Sequence, residues 1–153
     1  MAHSVQRKIL LFGFITGVLS VLAFHQGTLH ILHHYGGGWP WVTQHFGRFG
    51  AAYNFNPVAP LGVPMLVSQA FWGGLWGIVI AAMVRATRGG DLILGFIFGA
   101  LVVTLVAFTL VASLKGLPLM AGGNRQAWLR AGLLNGAFGF GTVFLLRPFA
   151  LQR

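Results

Sequence analysis

Apolar residues fill four long stretches of this chain, at about 9–32, 64–85, 92–114 and 126–146, and polar or turn-forming residues gather between them. Crossing a hydrocarbon core about 30 Å thick takes roughly 20 mainly apolar residues in a helix. The pattern therefore predicts an all-α fold, an integral membrane four-helix transmembrane bundle, forming a single domain over residues 1–153. Arg7-Lys8 precede the first run, Gly36-Gly37-Gly38 end it, and Lys115-Gly116-Leu117-Pro118 stop the third. Pro64 suits the first turn of the second helix, where its missing N–H does no harm. Arg88-Gly89-Gly90-Asp91 reads as a tight turn, and the Gly, Pro and aromatic-rich stretch from Tyr35 to Leu61 as a segment lying in the membrane interface.

Each run also carries one glycine pair at i, i+4: Gly13/Gly17, Gly73/Gly77, Gly95/Gly99 and Gly132/Gly136. Such a pair leaves a bare strip on one helix face where a neighbouring backbone can come close, so these eight are the expected helix-packing residues. On the second helix Gln69, Gly73, Gly77 and Ala81 form a stripe, with Trp72 and Trp76 as an aromatic ridge beside it. Two large rings at membrane depth need a partner, which core packing, a lipid, a quinone or carotenoid-like ligand, or another subunit could supply.

Composition narrows the class further. Only 7% of residues are charged and 56% are hydrophobic, with a mean hydropathy of +0.78, whereas a soluble domain has about a quarter of its residues charged. The net charge of +9 is spread over helix ends, which suits lipid headgroups and not a nucleic acid. No cysteine, carboxylate pair, phosphate loop or nucleophile elbow is present, so enzyme chemistry within one chain is not expected. Six Lys and Arg (Arg7, Lys8, Arg85, Arg88, Arg147, Arg153) fall on one side of the four runs, against four on the other (Arg48, Lys115, Arg125, Arg130). That excess predicts both termini cytoplasmic, with the two long loops outside. The start resembles a signal peptide, but no small-residue cleavage pattern follows, so an uncleaved first span is expected.

The strings Phe24-His25-Gln26-Gly27, Ala59-Pro60-Leu61-Gly62-Val63-Pro64, Phe71-Trp72-Gly73-Gly74-Leu75-Trp76-Gly77, Lys115-Gly116-Leu117-Pro118-Leu119 and Asn135-Gly136 together resemble a family of small, uncharacterised proteobacterial inner-membrane proteins. The resemblance implies four transmembrane helices and carries no activity with it.

Polar groups inside the spans are the candidate site residues. His25, Gln26, Gln69 and Asn135 form an expected polar intramembrane site, held by hydrogen bonds between helices; Gln69, Ser113 and Asn135 are the expected partners of His25. His30, His33 and His34 have the i, i+3, i+4 spacing of a transition-metal site. The bland reading is that they are interfacial histidines with their polar tips in water. The function expected is a non-enzymatic accessory or structural subunit that packs against lipids, other integral membrane subunits or itself as a homo-oligomer, with lipid bound. The alternatives are a metal- or haem-binding membrane protein using His25 and the His cluster, and a small solute transporter or channel working as an oligomer.

Overall fold

The structure, a computed structural model, describes residues 2–87 and 91–149. It is mostly helical, and four of its helices are long and apolar enough to cross a membrane. Helix α1 covers residues 2–35 without a break, as Ala2–Ser20, a π turn Val21–His25 and Gln26–Tyr35. A short α2, Pro40–Phe46, follows a 3-10 turn. Next come α3, Met65–Thr87, then α4, Leu92–Leu114, with π turns at Gly99–Val103 and Ala107–Val111, and α5, Arg125–Leu146.

Two helices differ most from the sequence expectation, α1 and α3. α1 is longer at both ends than 9–32: it begins at Ala2, and the histidine-rich stretch stays helical up to the glycines. Pro64 stands just before α3, in a two-residue strand (β2, Val63–Pro64) antiparallel to β1, Pro57–Val58. That ladder brings the Asn56 and Asn54 carbonyls over the start of α3, where they accept from the N–H groups of Met65 and Leu66, both at 2.9 Å. Opening N–H groups have no partner within their own helix, so the loop does the capping. Asp91 caps α4 likewise, its Oδ1 accepting from Ile93 N at 2.8 Å. The expected turn at residues 88–90 and Arg153 lie outside the described residues.

The helices pack as two close pairs. Between α1 and α3 the backbones touch at the glycines: a methyl placed on Gly17 would strike the Gly73 carbonyl, one on Gly77 the Gly13 carbonyl, and one on Gly13 would come within 2.8 Å of Ile78 Cα. In the second pair, α4 and α5, a methyl on Gly99 would strike the Asn135 carbonyl, and one on Gly139 the Gly95 carbonyl. Here the contact differs from the expected Gly132/Gly136 pair and follows the line Asn135, Gly139 and Thr142, which the sequence also marks as a packing face with one polar contact. Asn135 turns its amide onto Thr104 and leaves its own backbone bare towards Gly99, so the close approach runs through Asn135 and Gly139. Gly136 instead lies against the Phe96 ring, and Gly132 makes only ordinary contact with the Ala100 carbonyl, 3.5 Å from an added methyl. Ser20 joins the pairs by donating to the Phe138 carbonyl at 2.6 Å, buried between α1 and α5.

α3 and α4 are different. They make few close backbone contacts and meet through side chains, Trp76 edge-on to Phe98 at 5.8 Å and Lys115 reaching Ser68. Four of the five apolar residues no more than 2% exposed among those described, Ile80, Ala81, Val143 and Leu146, lie toward the end where α3 finishes and α4 begins. The opposite end, where residues 36–64 and 115–124 form loops, is less tightly filled, and there a cavity remains.

Candidate binding cavity

The cavity has a volume of about 380 Å³ and is lined by all four long helices. That volume falls within the roughly 300–1,000 Å³ range of small-molecule sites. Its walls follow from the packing. Glycines draw α1 onto α3 and α4 onto α5, whereas the indoles of Trp72 and Trp76 stand where α3 faces α4 and prop those two apart.

A gradient of polarity runs along it. Val21, Val103, Leu134 and Phe138 line the deep part, and Lys115 and Arg130 line the loop end. From Arg130 to Phe138 the distance along α5 is about 12 Å, and from Lys115 to Val103 along α4 about 18 Å, at a 1.5 Å rise per residue. His25, Gln69 and Asn135 stand between these limits.

Three of the four expected polar residues therefore line one cavity, while Gln26 lies behind its wall, 1% exposed. Gln26 Nε2 donates to Gln69 Oε1 at 2.7 Å and lies 3.2 Å from His25 Nδ1, and its Oε1 accepts from the Tyr53 N–H at 2.7 Å. The Tyr53 hydroxyl in turn donates to the Leu22 carbonyl, 3.0 Å away in the π turn of α1. The hydrogen-bond partner of His25 is thus its chain neighbour, whereas Gln69 is reached by Gln26 and Asn135 donates to Thr104 Oγ1 at 3.0 Å. Among the described residues no protein group bonds to His25 Nε2, so that ring nitrogen remains available to a ligand.

The π turns explain how these groups come into line. At roughly 100° per residue, nine residues of unbroken α-helix would put Gln26 about 180° around from Gly17, facing away from α3. A π turn takes up one extra residue. Gln26 then falls about 80° from Gly17 and reaches Gln69. The π turns of α4 likewise contribute Val103, Ala107 and Val111 to the cavity wall, so all three π turns of the described residues border it. π turns inside α-helices frequently coincide with functional sites.

Sequence reasoning passed over Lys115 and Arg130, counting them only as helix-end cations. Lys115 Nζ donates to Ser68 Oγ at 3.2 Å, and burial pushes its ammonium below its ordinary value. Arg130 NH1 donates to the Phe46 carbonyl at the end of α2. Gly47 allows that approach. Its φ of +70° suits a residue without Cβ, and a methyl there would come within 2.9 Å of Arg130 NH1. Neither cation has a carboxylate beside it. The chain's one acidic side chain, Asp91, caps the far end of α4. The signal lay in the sequence as one cation closing the third apolar run and one standing inside the fourth, in a chain with a single acid.

The rings of His30 and His33 both lie against that of His34, the His33 and His34 centres 5.0 Å apart. His33 Nδ1 pairs with the Phe49 carbonyl at 2.9 Å, His30 and His34 meet edge to face with ring centres 4.4 Å apart, and no metal-binding group of three occurs among the described residues. The chain matches no protein-family model, no curated protein and no solved structure.

Proposed function

We propose that this chain is a multi-pass integral protein of a bacterial inner membrane, non-enzymatic, which acts as an accessory unit by holding a molecule drawn from the bilayer in the cavity between its four helices. The observation that carries this reading is the cavity itself: an apolar hollow of ligand size, bordered by every π turn described, into which His25, Gln69 and Asn135 bring a few polar groups. Apolar walls with a small number of placed polar groups are the usual build of a site for a small organic molecule. Both termini lie in the cytoplasm, on the strength of the Lys and Arg excess, and the loop end of the cavity faces outward.

The glycine crossings support the accessory role in a second way. They hold the bundle together from within, which leaves large outward-facing side chains such as Leu101, Ile93 and Leu10 to meet lipid or neighbouring subunits. Gentle solubilisation, followed by organic extraction and mass spectrometry, tests the proposal. One small molecule recovered per chain is the expected result. A stoichiometric protein partner with no extractable small molecule would replace the binding reading by a purely structural one.

A further inference from the structure

Resting on that reading of the cavity, we infer that its ligand is an anionic amphiphile, with a phosphate-type headgroup held between Lys115 and Arg130 and a hydrocarbon chain lying over Trp72 and Trp76 towards Val103 and Phe138. Three observations converge on this class. First, the deep end of the cavity, at Val21, Val103 and Phe138, carries no charged side chain, while the two cations of its lining both stand at the loop end, so the hollow suits a molecule with a hydrocarbon part and a charged part. Second, both cations stand at the same end, and each spends only one bond on the protein, Lys115 on Ser68 and Arg130 on the Phe46 carbonyl. Their other donors are available to an anion. Third, the chain's single acidic side chain caps α4 at the opposite end of the bundle, so nothing on a side chain within the protein neutralises the pair. Withdrawing a cation from water without a counter-charge is unfavourable, and burial already works against the charged form of Lys115. An anion from outside removes that penalty. An uncharged quinone would fill the apolar part but leave both cations unanswered.

The headgroup chemistry is shared by a resident phospholipid and by soluble phosphate, and the experiment separates them. The full chain in a non-ionic detergent is titrated with phosphatidylglycerol brominated on its acyl chains, which quenches tryptophan on contact, and with phosphatidylcholine brominated in the same way. Phosphatidylglycerol is expected to quench Trp72 and Trp76 at a concentration at least tenfold lower. Lys115→Gln and Arg130→Gln are each expected to weaken it roughly tenfold to a hundredfold, the range for losing a hydrogen bond to a charged group. Lys115→Arg and Arg130→Lys keep the charge and should keep the binding. Arg125 is exposed, lies at the same end and lines no part of the cavity, so Arg125→Gln should leave the titration unchanged.

Equal affinity for the two lipids, or an equal loss in Arg125→Gln, would overturn the anion inference. So would competition by inorganic phosphate as strong as that of the unbrominated lipid, because the chain would then contribute nothing. Ala107→Phe places a ring in the cavity and tests the underlying reading apart from charge. If both lipids bind equally and Ala107→Phe removes both, the cavity still holds a ligand and the headgroup assignment alone fails. If neither lipid quenches and Ala107→Phe changes nothing, both fail.

Discussion

Adding one methyl to a helix glycine should have opposite effects at Gly17 and at Gly27. Both lie within α1, and alanine is the better helix former by about 1 kcal/mol at either place. The surroundings differ. A Cβ on Gly27 meets nothing within 4 Å, whereas one on Gly17 would run into the Gly73 carbonyl and come within 2.9 Å of Gly77 Cα. Those are backbone atoms of a helix that is itself pressed against α1 at Gly13, so no side-chain rotation relieves the overlap. Forcing a methyl into a close-packed contact costs about 1–3 kcal/mol. Because the propensity gain is common to both substitutions, the difference between them isolates that overlap term, and Gly27→Ala should exceed Gly17→Ala in stability by about 1–3 kcal/mol. Reversible unfolding in mixed micelles, followed by circular dichroism, measures it. Gly99→Ala, which meets the Asn135 carbonyl, should behave like Gly17→Ala and report the second helix pair. Equal stability of the Gly17 and Gly27 variants would refute the claim that backbone contact at the glycines holds α1 to α3.

Gln26→Leu strands the Tyr53 N–H and the Gln69 carbonyl oxygen at once, and should cost about 1–3 kcal/mol for each group that water cannot reach, read in the same unfolding assay. With no ligand bound, stability should rise as pH climbs from below the lowered Lys115 value to above 10.5, because the folded chain releases that proton before the unfolded chain does. Lys115→Gln should flatten that rise, and an unaltered profile would count against the burial of its ammonium. The chain has no cysteine, so Leu119→Cys in the long loop and Thr87→Cys at the end of α3 each introduce a single thiol. A membrane-impermeant maleimide should label the first in whole cells and spare the second, and the reverse result would invert the orientation. Gly47→Ala should displace the Arg130 guanidinium from Phe46 and weaken binding of the anionic lipid without unfolding the bundle.

The four long helices were legible in the sequence because their signal is local: a run of apolar residues long enough to cross a hydrocarbon core announces itself whatever it packs against. The stops at Gly36 and Lys115 and the glycine pairs of the first three helices are local in the same sense. What faces what is not local. Phase counted along an unbroken helix turns Gln26 away from Gln69, and only the π turn at Val21–His25, held by the Tyr53 bonds to Leu22 and Gln26, brings them together. On the fourth helix the sequence offers two packing faces, Gly132/Gly136 and the line Asn135, Gly139 and Thr142, and the second is the one that meets α4, with Asn135 turned towards Thr104. The cavity is the clearest case. Neither the indoles of α3 nor the cations at the ends of α4 and α5 imply it separately; it exists because glycines close two helix pairs tightly while Trp72 and Trp76 hold the remaining faces apart, and that is decided only when all four helices are in place.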